Sequence, residues 1–110
     1  MSVEEVDIVV VDVKAVHRGI RVSGLLGIPV VNGNEEEIGT IDDLIVERQG
    51  PGRIAFAVLE VGGFLGIGAR RVAIEYDSLQ IERQDDAFRV ALPGATREAL
   101  KSLPTFVYDS

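Results

Sequence analysis

The sequence predicts an all-β protein, a small and partly open antiparallel β-barrel of about six strands with one short C-terminal helix. Three observations support this fold class. Six or seven short segments rich in β-branched or alternating apolar residues follow one another. Turn signals separate these segments at close intervals. Helical spacing is confined to residues 95–103, about two turns of helix. The chain of 110 residues, 46% of them hydrophobic, has the composition of a single globular domain.

The N-terminal part of the chain is predicted to be extended. Residues 6–13 are valine-rich, with Asp7 and Asp12 as their only charges, and this composition favours a strand or an extended arm. Residues 20–23 alternate apolar with polar side chains, and residues 24–29 interrupt them with a turn or bend. Helical spacing is absent from this part of the chain.

A hairpin is predicted next. Val30 and Val31 run into the sequence Asn-Gly-Asn, and an Asn-Gly pair between apolar runs is a strong hairpin signal because both residues tolerate positive φ. The returning strand is predicted over residues 38–47. Its apolar residues do not keep a period of two, so we expect a β-bulge near Gly39 or Asp42.

The remaining elements are four strands and the helix. Residues 53–61 are mostly apolar, which predicts a strand covered on both faces. Shorter strands are predicted over residues 71–75, 79–83 and 88–92. In the helix, Thr96 is the predicted N-cap, Leu100 and Leu103 share one face, and Pro104 ends it.

The charge balance excludes some classes of partner. A formal net charge of −7 repels polyanions, so we expect no binding to nucleic acid. Without cysteine, the chain has neither disulfides nor thiolate metal ligands. Its apolar runs are too short for a membrane span, and its acidic first residues do not resemble an export signal, so we expect a cytoplasmic protein.

No group of residues predicts catalysis. His17 is the only histidine, no Gly-x-Ser-x-Gly motif is present, and a solvated surface histidine is the simpler interpretation. Residues 32–43 faintly resemble a calcium loop, but Glu37 stands where the loop needs glycine, which favours an acidic hairpin. Asp42 and Asp43 point to opposite faces of a regular strand. We therefore predict no catalytic residue, no cofactor site and no metal site.

The stretch GGFLGIGARRVA at residues 62–73 is the most unusual part of the sequence. Its glycines are spaced G-x-x-G-x-G, the reverse of a dinucleotide-binding fingerprint, and no Gly-Lys-Ser/Thr closes it as a P-loop. Phe64, Leu65 and Ile67 normally seek burial, so they are candidates for a partner interface. We expect Phe64 to cap the core of its own barrel, with Leu65 and Ile67 available to a partner.

Two arginines follow this stretch. Arg70 and Arg71 are candidate anion-binding residues, because guanidinium groups bind anions through paired hydrogen bonds. The alternative interpretation, charges that merely flank a loop, requires no ligand. The interior of so small a barrel is filled by side chains, which leaves little room for one.

Several segments together resemble the PRC-barrel family, in the same order along the chain. They are Leu26-Gly27, Val30 to Asn32, Glu36 to Val46, Phe56 to Gly68 and Val72 to Ile74. This small β-barrel occurs in the cytoplasmic part of the reaction-centre H subunit of purple bacteria, in the C-terminal domain of a bacterial ribosome-maturation factor, and as stand-alone bacterial proteins. The resemblance implies one PRC-barrel-like domain over residues 1–110. Its parts are a barrel signature at about residues 24–79, a C-terminal strand and helix at 88–103, and an extended tail at 104–110.

Two positions depart from the family pattern. Relatives usually carry glycine at the hairpin position of Glu35, whereas this chain has Gly33, which leaves the turn type open. Many carry proline where Glu75 stands, which leaves the end of that strand open.

The family's recurrent use as an accessory domain implies a non-enzymatic protein-interaction module. We expect it to form a homodimer or to dock on a larger protein assembly, and we expect no cofactor. Two alternatives stay open: a small anion- or ligand-binding protein, and a peripheral membrane-associated factor whose residues Phe64, Leu65 and Ile67 enter the lipid interface.

Overall fold

The computed structural model describes residues 8–62 and 68–109. Within them the chain forms six strands and four short helical segments. The strands are β1 (Pro29–Val31), β2 (Glu37–Val46), β3 (Ile54–Val61), β4 (Arg70–Glu75), β5 (Gln80–Gln84) and β6 (Ala87–Ala91). The helical segments are α1 (Val13–Arg18), α2 (Val22–Leu25), a 3₁₀ turn (Tyr76–Ser78) and α3 (Arg97–Lys101).

The six strands form one sheet in the order β4-β3-β2-β1-β6-β5. The end strands β4 and β5 do not pair with each other, so the sheet is open, and the predicted partly open barrel with one C-terminal helix is confirmed. One pairing differs from the prediction. β1 and β6 run parallel, joined at Val30 with Val90 and at Val31 with Ala91. Turn signals in a sequence predict pairing only between strands that are neighbours along the chain, whereas β1 and β6 are the first and the last strand.

The β-bulge expected in β2 is present. Ile41 pairs with Leu59 and Asp43 with Val58, so Asp42 is an extra residue without a partner on β3. A second irregularity lies beside Gly39, where the register of β1 and β2 shifts by one residue. The bulge at Asp42 explains why the buried residues Ile41 and Leu44 are three positions apart instead of two.

The hairpin between β1 and β2 is organised by Asn32, the one polar residue buried among those described. Its Oδ1 accepts hydrogen bonds from the backbone N–H of Asn34 (2.9 Å) and of Glu36 (3.1 Å). The left-handed residue is Glu35, at φ 62°, and not Gly33. Gly33 instead approaches the Pro93 carbonyl so closely that a Cβ would lie 3.0 Å from its oxygen.

The core combines residues of the sheet with residues of two of the helices. Consecutive residues of β3 (Ala57, Val58 and Leu59) are all buried, which confirms that both faces of this strand are covered. α2 contributes Leu25 and α3 contributes Leu100 to the same core. The predicted N-cap of α3 is confirmed, since the Thr96 hydroxyl accepts a hydrogen bond from the Ala99 N–H at 3.0 Å.

Two short helices in the N-terminal part were not predicted. α1 begins after Asp12, whose carboxylate accepts a 2.9 Å hydrogen bond from the Lys14 N–H, and it ends at Gly19. α2 occupies the segment where apolar and polar residues alternate and where no helix was expected. α1 buries no side chain, so the apolar pattern gave no helical signal, although Asp12 and Gly19 are typical cap residues.

Candidate functional site

The stretch singled out in the sequence connects β3 to β4. Val61 and Arg70 are paired across these two strands, and Gly62 and Gly68 adopt φ of 74° and 78° at the two ends of the connection. Glycine is needed there because other residues rarely adopt this conformation. The three interface candidates of this connection, Phe64, Leu65 and Ile67, lie outside the described residues, and their role stays a prediction.

Arg70 fixes the start of the C-terminal tail, which we define as residues 103–109. Its Nη2 donates to the Leu103 carbonyl at 2.7 Å and to the Thr105 hydroxyl at 2.6 Å. Its Nε is buried without a hydrogen-bond partner among the described residues. The guanidinium therefore holds the chain where it leaves α3.

Arg71 holds the same tail further along. Its Nε donates to Oδ2 of Asp42 at 2.8 Å, and its guanidinium lies 5.5 Å from the centre of the Tyr108 ring. Its carbonyl accepts a hydrogen bond from the Phe106 N–H at 2.8 Å. The Tyr108 hydroxyl donates to the same Oδ2 of Asp42 at 2.6 Å. The β-bulge thus places Asp42 where it receives donors from both β4 and the tail.

The electrostatics of this cluster follow from these contacts. The hydrogen bond from Tyr108, together with the neighbouring Arg71, lowers the pKa of Asp42 although burial opposes the shift. Burial and the Asp42 carboxylate raise the pKa of Tyr108. At neutral pH the cluster therefore contains an ionised Asp42 and a protonated Tyr108.

These contacts bear on the anion-binding candidates. Nη2 of Arg70 and Nε of Arg71 donate to oxygen atoms of their own chain, so an anion would have to compete with the tail and with Asp42 for these N–H groups. Binding of an anion at this position stays a prediction.

An open cleft of about 520 Å³ lies beside α3, between β2 and β3. Charged side chains of both signs, from Glu37, Glu60, Arg97 and Lys101, line it, and Arg97 donates to the Glu37 carbonyl at 2.6 Å. A ligand pocket is ordinarily apolar with a few polar groups, whereas this cleft is lined mainly by polar groups.

The other residues considered for chemistry lie apart. His17 is exposed at the end of α1. Asp43, next to the bulge, accepts a hydrogen bond from the Leu44 N–H at 2.8 Å, while Asp42 contacts the tail, so the two carboxylates do not form a pair. Among residues 8–62 and 68–109, no group of three or more histidine, aspartate and glutamate side chains is placed to bind a metal ion.

A further exposed surface, which was not predicted from the sequence, is the N-terminal arm, which we define as residues 8–16. It contains residues 8–11, which belong to no helix or strand, followed by Asp12 and most of α1. The six large apolar side chains of the arm are between 61% and 92% exposed. They are Ile8, Val9, Val10, Val11, Val13 and Val16. The sequence contained one signal for this surface, a run of apolar residues that would give a strand two apolar faces. It did not indicate which molecule would cover those faces.

The open six-stranded sheet with its covering helices defines the class of the protein: a small, partly open β-barrel domain. A profile of the PRC-barrel domain matches residues 17–97, and the chain belongs to this family. The family is non-catalytic, and its domains mediate protein interactions. No curated protein matches the chain.

None of the helices within residues 8–62 and 68–109 has the length and apolar character required to cross a bilayer.

Proposed function

We propose that this protein is a non-enzymatic interaction module that self-associates as a homodimer or docks on a larger protein assembly. The carrying observation is the distribution of exposed apolar side chains. Of the twelve large apolar residues exposed in the described part of the chain, nine lie between Ile8 and Leu26. Scattered exposed apolar residues are ordinary, whereas a concentration of this kind marks a contact surface.

Two further observations support a binding role over a catalytic one. The described part of the chain has no cluster of metal-binding type, and its one histidine is isolated on the surface. Asp42, the carboxylate with a lowered pKa, is bound to Arg71 and to the tail of its own chain. Its perturbed pKa therefore has a structural cause and does not require a substrate.

The proposal is tested by sedimentation velocity from low to high micromolar concentration, together with capture of partners on the immobilised chain. We expect a concentration-dependent dimer, or a stoichiometric partner identified by mass spectrometry. A chain that remains monomeric and captures no stoichiometric partner contradicts the proposal. The cytoplasmic location inferred from the sequence belongs to the same proposal and is tested by cell fractionation.

A further inference from the structure

We infer that the N-terminal arm is a dimerisation element, whose apolar side chains are buried against a second copy of this chain. The inference rests on the proposed function, and it names the arm as the contact surface and a second copy as the partner. The first argument concerns the backbone of the arm. Residues 8–11 belong to no helix or strand, and the structure shows no backbone hydrogen bond from these four residues to any other described residue. Backbone without such bonds is able to pair with another chain as a strand.

The side chains of the arm add a second argument. Residues 8–11 are all large, apolar and exposed. When such a segment pairs as a strand, successive side chains lie on opposite faces, so both of its faces are apolar. A strand with one face in water carries polar residues on that face, whereas apolar residues on both faces are typical of a strand covered on both sides. The described residues of the same chain leave all four side chains exposed, and a second copy would cover them.

The area available fits a dimer. A fully exposed valine or isoleucine side chain contributes roughly 60–120 Å² of apolar surface. Six side chains at the observed exposures offer roughly 300–500 Å² per arm. In a two-fold dimer, two arms and the two surfaces that they cover bury roughly 1,200–2,000 Å², the size of a standard stable protein interface.

Charge permits a second copy as the occupant. The net charge of −7 opposes contact between two copies along most of their surface. The arm differs, because Lys14 balances Asp12 and residues 8–16 carry no net charge. Contact between two copies through the arm is therefore opposed less than contact through the acidic rest of the chain.

The test compares two valine substitutions by sedimentation velocity. Val10→Asp places a charge in the middle of the arm, at a residue that is 92% exposed, so the fold of the monomer is retained. Val107→Asp is the matched control, because Val107 is also an exposed valine but lies in the C-terminal tail. We expect Val10→Asp to weaken the dimer about tenfold or more, because burial of an unpaired charge is costly, and Val107→Asp to leave it unchanged.

A second measurement uses the unmodified chain. Hydrogen exchange of the backbone amides of residues 8–11 is followed above and below the concentration at which the dimer forms. We expect protection of these amides only in the dimer, which a purely structural role of the arm in the monomer would not produce.

The outcomes separate the two proposals. A dimer that Val10→Asp does not weaken, with amides of residues 8–11 unprotected, overturns the role of the arm and leaves the proposed function standing. A monomer that captures a different protein stoichiometrically also overturns this inference but not the proposed function. A monomer that binds phosphatidylcholine vesicles through Val10 assigns the arm to a lipid surface and overturns it as well.

Discussion

The hydroxyl of Tyr108 donates a 2.6 Å hydrogen bond to Oδ2 of Asp42, a residue 66 positions earlier in the chain. The contact joins the C-terminal tail to the bulge of β2. Arg71 reaches the same oxygen from β4, so three separate parts of the chain meet at one carboxylate.

Removal of the Tyr108 hydroxyl should destabilise the fold. Tyr108→Phe leaves the ring in place but deletes the donor, so Asp42 keeps only Arg71, and we expect a loss of about 1–2 kcal/mol in the free energy of unfolding. Urea denaturation measures the loss. Tyr76→Phe is the matched control, because the structure gives the Tyr76 hydroxyl no hydrogen bond to a described residue. Equal losses in the two variants would contradict a specific role for the contact.

The stability of the protein should fall in acid partly because of Asp42. Its pKa is lowered in the folded state by Tyr108 and Arg71, so ionised Asp42 stabilises the fold above its ordinary value of 3.8. This stabilisation is lost as the pH falls through the lowered pKa. We expect Asp42→Asn to be less stable than the parent at pH 7, and the difference to shrink below about pH 4. Denaturation curves over this pH range measure the effect, and a difference that is independent of pH would argue against it.

Glu35 should be replaceable by glycine with a gain in stability. Its φ of 62° is unfavourable for a residue with a Cβ, at a cost of roughly 1–2 kcal/mol. Glu35→Gly also removes the ion pair with Arg89 (2.6 Å), which is exposed and worth about 0.5 kcal/mol. The expected net gain is about 1 kcal/mol, measured by thermal unfolding. Glu35→Gln removes the ion pair alone and should be slightly destabilising, so a glycine variant less stable than the glutamine variant would refute the explanation.

Gly39 should not tolerate a side chain. A Cβ at this position would lie 2.9 Å from the backbone oxygen of Glu60 on the neighbouring strand, and a backbone atom cannot move aside without disturbing β3. We expect Gly39→Ala to cost about 1–3 kcal/mol in unfolding free energy. Gly94→Ala is the control, because a Cβ there meets nothing within 4 Å. Comparable stability of the two variants by urea denaturation would contradict the close approach.

The parts of the fold that were predictable are those with local causes. The bulge at Asp42 was predictable because the apolar residues around it break the period of two, and the start of α3 because Thr96 is a good N-cap. The use of Glu35 as the left-handed residue of the hairpin was not predictable from the Asn-Gly pair. Gly33 is required instead for its close approach to Pro93, a contact between distant residues.

The candidate site was less predictable than the fold. The spacing of Arg70 and Arg71 after a glycine-rich loop gave no information about their partners, because Leu103, Thr105 and Asp42 reach them only after the chain has folded. The exposed arm was missed for a different reason. A strand with two apolar faces looks the same in a sequence whether its cover comes from its own chain or from another molecule.

The parallel pairing of β1 with β6 has a consequence for how the chain folds. The antiparallel strands β1, β2, β3 and β4 pair with neighbours close in sequence, as do β5 and β6, so each group can form early and by itself. The two groups are joined within the sheet through Val30 with Val90 and Val31 with Ala91, across some sixty residues of chain. Because the chain between these strands is long, their pairing is slow, and we expect it to be the rate-limiting step of folding. We also expect this short junction to be the first part of the sheet to separate under mechanical force.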